Sequence, residues 1–100
     1  MIQGTTPTLT LTVPNTVDLT QAAHVYVTLS QGRTVLTLSG NSVDVDEHSV
    51  DVFITQSQSL KFSKGEVEIQ LNWTDSQGKR LASEISLEPI SKNLLREVVE

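Results

Sequence analysis

Two alternating segments joined by a short turn constrain the fold of this chain more than any other stretch. From Gly65 to Thr74 apolar residues alternate with polar ones, and the alternation resumes from Leu81 to Leu87. Residues 75–79 between them include the glycine and aspartate that favour tight turns. A period of two places the apolar side chains on one face of each strand. Because a two-stranded hairpin cannot bury its own apolar face, the rest of the chain must supply a second layer.

Five earlier segments show the same alternation and predict the other strands. They cover residues 8–13, 23–29, 34–38, 43–45 and 50–54. Twelve valines and twelve threonines add the β-branched side chains that suit a pleated surface. Short strands with frequent turn signals are typical of an immunoglobulin-like fold. We therefore predict an all-β, two-sheet antiparallel β-sandwich of about seven strands.

The connection before the last hairpin and the end of the chain break this pattern. Thr55 and Gln58 have the spacing of a capping box, which predicts one helical turn. Pro89 lacks a backbone donor and is predicted to end the last strand. Beyond it, apolar residues of the segment 90–100 recur at helical spacing, although the segment is too short to be a stable helix alone. We predict a single domain over residues 1–89 and a short helical or extended tail over residues 90–100.

Charge and composition disfavour several classes of partner. The net charge is −5, and the seven Lys and Arg residues are scattered rather than clustered, so no nucleic-acid partner is expected. Apolar runs are far shorter than the ~20 residues of a membrane helix, so no membrane partner is expected. The first residues carry no basic region before an apolar core, so export by a signal peptide is not expected.

The sequence offers weak candidates for chemistry. The acidic stretch from Asp44 to His48, with Asp51 close behind, could coordinate a hard cation, but turns also collect such residues, and the turn is the preferred interpretation. His24 and His48 have no cysteine to complete a zinc site. Neither a nucleophile elbow nor a glycine-rich phosphate loop is present. We expect no catalytic residue, no cofactor and no metal, and predict that the chain is not an enzyme.

Exposed apolar residues are the remaining candidates for function. Tyr26 and Phe53 fall opposite the main apolar faces of their strands, so they either belong to a second buried side or form a contact surface. The tail adds further apolar candidates for an interface, which are Leu94, Leu95, Val98 and Val99. The segment 8–13 is predicted to be an edge strand, whose unpaired backbone groups invite strand addition.

Four stretches resemble a family of small phage and prophage proteins of Firmicutes. They are residues 1–8 (MIQGTTPT), 60–62 (LKF), 78–84 (GKRLASE) and the Leu-rich end 94–100. Members of this family lie among phage structural genes. The resemblance implies a non-enzymatic structural protein, such as a tail, connector or baseplate component, found in the virion or the host cytoplasm. Its expected partners are other phage structural proteins, or further copies of the chain in a homo-oligomer.

A carbohydrate- or surface-binding β-sandwich module is the alternative function. Such a module needs a row of exposed aromatic side chains on one sheet, and only four residues of this chain are aromatic by the Phe, Trp and Tyr count. Solution mass and partner binding distinguish the two functions, because a particle component is expected to assemble.

Overall fold

In a computed structural model of the chain, which describes residues 1–95, each of the first six alternating segments forms one strand and the last segment contributes to two. The eight strands are β1 (Thr8–Thr12), β2 (His24–Gln31), β3 (Thr34–Leu38), β4 (Val43–Val45), β5 (Ser49–Phe53), β6 (Gly65–Thr74), β7 (Arg80–Ala82) and β8 (Ser86–Ile90). Two 3-10 turns, Leu19–Gln21 and Gly40–Ser42, and one helical turn, α1 (Gln56–Ser59), connect them. Thr55 and Gln58 form the predicted capping box at the start of α1.

The strands form two antiparallel sheets. One has the order β1-β5-β4, and the other has the order β3-β2-β6, with β7 and β8 both paired to the far edge of β6. This arrangement corresponds to the B-E-D and C′-C-F-G sheets of an immunoglobulin-like sandwich. The all-β sandwich prediction is confirmed. Among residues 1–95 no strand lies on the outer side of β1, where strand A would stand.

The inner faces of both sheets build one apolar core. Its buried members are Val13, Leu19, Val27, Leu29, Leu38, Val50, Val52, Ile54, Phe62, Val67, Ile69, Leu71, Trp73 and Ile90. Burying a side chain of this kind contributes about 1.5–3 kcal/mol relative to leaving it exposed. Trp73 on β6 is the largest side chain in this core and is 7% exposed.

The last predicted strand is in fact two strands separated by a bulge. Leu81 lies opposite Trp73, and Ser86 lies opposite Ile69. The five residue steps from Leu81 to Ser86 therefore match only four steps along β6. The extra residue lies between Ser83 and Ser86, opposite Gln70, and Ser83 still pairs with Leu71. The Ser83 N–H donates to the Leu71 carbonyl at 2.8 Å, and its hydroxyl accepts from the Leu71 N–H at 3.0 Å. One extra residue of this kind defines a β-bulge.

The bulge reverses which residues of β8 face the core. Leu87 lies opposite Glu68 on the outer face and is 59% exposed, and Ile85 is exposed as well. Glu88 lies opposite the buried Val67. The expectation that Ile85 and Leu87 continue the apolar face is therefore wrong, because a shift of one residue moves every following side chain to the other face.

Pro89 does not end the last strand. It lies within β8, which runs to Ile90, and Ile90 is buried in the core. An edge strand tolerates proline where the missing N–H would face solvent. Ser91 then makes a parallel bridge with Ile2, and no helix forms within residues 90–95.

Buried polar contacts close one end of the sandwich. The Gln3 side-chain amide donates to the Phe62 carbonyl at 2.6 Å, and the Asn93 amide donates to the Gln3 carbonyl at 2.8 Å. The Ser59 hydroxyl is fully buried and donates to the Thr5 carbonyl at 2.8 Å. These bonds join the N-terminal segment, the residues around α1 and the segment that follows β8, and we call this set of contacts the end cap.

Candidate protein-binding edge

The sandwich is open along the side where β1 faces β7 and β8 across the two sheets. A groove of about 790 Å³ runs between these edges. Its apolar lining includes Leu9, Leu11, Val13, Val17, Ile69, Leu71, Trp73 and Leu81. Glu84 and Glu88 also line it, so the groove combines apolar side chains with acidic ones on the β8 side.

The backbone of β1 has hydrogen-bonding groups directed away from its sheet. The Ile54 N–H donates to the Pro7 carbonyl, and the Val13 N–H donates to the His48 carbonyl. In an antiparallel ladder hydrogen-bonded pairs alternate with non-bonded ones. With the observed register, Leu9 and Leu11 therefore bond to β5. The outward-facing backbone groups are those of Thr8, Thr10 and Thr12.

The side chains of β1 leave this edge unprotected. Edge strands are normally guarded by charges, prolines or bulges. Asp44 lies on the short strand β4, and β8 has Pro89 and the preceding bulge, whereas β1 consists only of threonine and leucine. Pro7 and Pro14 flank β1 without interrupting it. Leu9 and Leu11 are only half-buried, and both line the groove.

The predicted interface residues do not form one surface. Tyr26 lies opposite Asn72 on the outer face of the larger sheet and is 38% exposed. Phe53 lies opposite Thr8 on the other sheet and is 44% exposed. The two aromatic rings therefore lie on opposite sides of the sandwich.

The tail residues form a separate exposed region. Leu94 is 90% exposed and Leu95 is also exposed, beyond the end cap. Val98 and Val99 lie outside the described residues.

Tyr26 borders a shallow hollow on the outer face of the larger sheet. Its ring stacks on His24 with centroids 6.2 Å apart. Asn72, Thr74 and Arg80 also line this space of about 340 Å³. The Thr74 hydroxyl is buried and has no hydrogen-bond partner among the described residues. The hollow thus combines an aromatic ring with several polar groups.

The acidic stretch and the second histidine make contacts within the sandwich. Asp51 accepts a hydrogen bond from the Thr10 hydroxyl at 2.7 Å, and His48 Nδ1 lies 2.6 Å from the Val17 carbonyl oxygen. Within residues 1–95, no three His, Asp or Glu side chains are grouped as ligands for one metal ion.

Asp18, in the connection between β1 and β2, has a lowered pKa. The Thr20 hydroxyl donates to Asp18 at 2.5 Å, and the Thr20 N–H donates to the same oxygen at 3.0 Å. Both bonds favour the charged carboxylate and lower the pKa of Asp18 below its ordinary value. This carboxylate caps the 3-10 turn Leu19–Gln21 that leads from β1 to β2.

Sequence reasoning identified β1 as an edge but missed the groove beside it. The groove depends on which strands end opposite each other in the two sheets, and alternation within a strand carries no such information. The alternating pattern alone places Ile85 and Leu87 in the core, because the bulge has no distinct signal in that pattern.

A comparison with models of known protein families, with curated proteins and with solved structures gave no match to the chain. Within residues 1–95 there is no helix with the length and apolar character needed to cross a bilayer.

Proposed function

We propose that the chain is a non-enzymatic structural protein of a phage or prophage, a tail, connector or baseplate component that binds other particle proteins. The observation that carries this proposal is the neutral, unprotected edge of β1 beside an apolar groove. The resemblance of the opening residues to phage structural-cassette proteins supplies the particle context. Its place of action is then the virion or the host cytoplasm.

Strand addition is the binding mode that suits this edge. An extended segment beside β1 receives backbone hydrogen bonds from Thr8, Thr10 and Thr12, and its alternate side chains enter the groove. Each hydrogen bond contributes about 0.5–1.5 kcal/mol net. Apolar area removed from water adds roughly 25 cal/mol per Å². Together these terms are large enough for a specific contact.

The residues that carry the resemblance have structural roles in this chain. Gly4 has a φ of +73°, and Gln3 joins the end cap through Phe62. Leu60 lies against Gly4. The shared motif therefore concerns the framework of the sandwich, and the β1 edge lies next to it in sequence.

The proposed particle role is tested by incorporation. We expect the chain in particles purified from a strain that carries the gene, and we expect Thr10→Pro to be lost from them. Thr10 is suitable because its N–H faces away from β5, so the substitution removes no backbone bond of the sheet and loses only the bond from the Thr10 hydroxyl to Asp51.

Val35→Pro is the matched control at the other uncharged edge. Val35 is exposed on β3 and lies next to a two-residue hairpin, whose geometry directs its N–H away from β2. Both variants must retain the β-sheet spectrum. The proposal fails if the chain is recovered only from host cytosol, or if both variants enter particles equally.

A carbohydrate-binding module is a second candidate, supported by the Tyr26 hollow. A sugar ring can stack on Tyr26 while its hydroxyls bond to Asn72 and Arg80. NMR titration with bacterial surface polysaccharides should shift the resonances of Asn72 and Arg80, and Tyr26→Ala should abolish these shifts, whereas Phe53→Ala on the opposite face should not. Unchanged spectra would remove this candidate.

A further inference from the structure

We propose that the partner at the β1 edge is a second copy of this chain, paired antiparallel through β1 around a two-fold axis at Thr10. This inference rests on the proposed function, because it names the protein that pairs with the same β1 edge. The two three-stranded sheets would join into one six-stranded sheet. The pairing is isologous, so each copy contributes the same surface.

The side-chain order of β1 fits this symmetry. The strand has the sequence TLTLT, which is the same in both directions. Around an axis at Thr10, Thr10 meets its own copy and Thr8 meets the partner's Thr12, so threonine pairs with threonine on the outer face. Leu9 meets the partner's Leu11 on the inner face. Like pairs of β-branched and apolar residues stabilise neighbouring strands.

The backbone groups also have the required positions. The groups facing outward are those of Thr8, Thr10 and Thr12, and these are the residues that oppose one another in this register. Each opposed pair then exchanges two hydrogen bonds, as antiparallel ladders require. No outward group within β1 is left without a partner in the dimer.

Electrostatics permit a second copy at this edge despite the acidic net charge. The chain has a net charge of −5, so two copies repel each other unless they meet at a neutral surface. No residue of β1 is charged. Asp51 lies one strand away from each β1 and accepts a bond from Thr10. Three strand spacings separate the two Asp51 residues by roughly 14 Å, beyond the screening length of about 8 Å at physiological salt.

The other edges do not suit the same pairing. Self-pairing of β4 around Asp44 would oppose two carboxylates directly. Self-pairing of β3 around Leu36 would oppose Val35 with Thr37, an unlike pair. At the remaining edge, Pro89 and the bulge interrupt the ladder. Of the edges in the described sheets, β1 alone combines neutrality with two-fold symmetry.

Solution mass and register-specific cross-linking test this inference. Light scattering after size exclusion should give twice 11.0 kDa for the native chain. Thr10→Pro removes two hydrogen bonds at the axis and leaves two carbonyls unpaired, which should weaken the dimer about 100-fold. Val35→Pro should leave the dimer unchanged.

Cysteine variants report the register, because the native chain contains no cysteine. Under oxidation, Thr10→Cys should cross-link with itself. Thr8→Cys should cross-link with Thr12→Cys when the two variants are mixed. Neither variant should cross-link with itself, because residue 8 of one copy lies roughly 13 Å from residue 8 of the other, and the same holds for residue 12.

A monomer at every concentration, an unaffected Thr10→Pro dimer, or cross-linking without this pattern would overturn the inference. The two proposals fail separately. If the chain is a monomer but Thr10→Pro still prevents its entry into particles, the proposed particle role stands and the proposed dimer is wrong. If the chain forms the β1 dimer but is never found in particles, the proposed dimer stands and the proposed particle role is wrong.

Discussion

At the scale of single residues, the closure of the sandwich end depends on a few side chains with defined contacts. Gln3 is buried and joins both Phe62 and Asn93, and Ser59 is buried with its hydroxyl bonded to Thr5. Buried polar groups of this kind destabilise the fold when one partner is removed, because the other is left without a hydrogen bond. Gly4 stands at the centre of the cap, in the left-handed region of backbone space.

Gly4→Ala should destabilise the chain more than a glycine substitution in an open turn. A Cβ at residue 4 would lie 3.3 Å from Leu60 Cδ2, in addition to the left-handed backbone cost of about 1–2 kcal/mol. Gly32→Ala is the control, since its φ is +56° and no atom lies within 4 Å of the added Cβ. Urea unfolding measures both free energies. An equal decrease in the free energy of unfolding for both variants would show that the contact with Leu60 does not destabilise Gly4→Ala.

At the scale of elements, the bulge between β7 and β8 determines which side chains of β8 face the core and which are exposed. Without the extra residue, Leu87 would point inward. The observed register instead places Ile90 in the core and leaves Leu87 on the outer face. A substitution experiment can therefore distinguish the two registers.

Ile90→Ala should cost about 2–5 kcal/mol in the free energy of unfolding, as expected for a buried aliphatic residue. Leu87→Ala should change stability by no more than about 0.5 kcal/mol, because its side chain is exposed. Thermal and urea unfolding of both variants provide the measurement. The reverse order of effects would contradict the bulge and restore the uninterrupted strand.

At the scale of the whole molecule, the two ends of the described chain belong to the same folded unit. Ser91 donates to the Met1 carbonyl and accepts from the Gln3 N–H, and Asn93 bonds to Gln3. Residues 90–93 therefore contribute to the sandwich through main-chain bonds as well as through Ile90.

A chain ending at Pro89 should be markedly less stable than one ending at Leu95. The shorter chain loses the buried Ile90 and the bonds that residues 91 and 93 make to the N-terminal segment. We expect a lower melting temperature for it, measured by circular dichroism. If both chains melt at the same temperature, residues 90–95 add nothing to the fold.

Much of the fold could be predicted because its signals are local. The alternation of β1 to β6 located these strands, and the Thr55 and Gln58 spacing located α1. The candidate site was predicted only in part: β1 was expected at an edge, but Tyr26 and Phe53 proved to lie on opposite sheets. Their separation depends on pairing between strands that are distant in sequence.

The sequence by itself determined where β1 to β6 form and which face of each is apolar, because a period of two depends only on neighbouring residues. It also determined that β1 is uncharged and symmetric about Thr10. The tertiary structure decided the register across the bulge between β7 and β8, and the groove between β1 and β8. Those features follow from hydrogen bonds and packing between strands, where one extra residue changes which side chains meet the core.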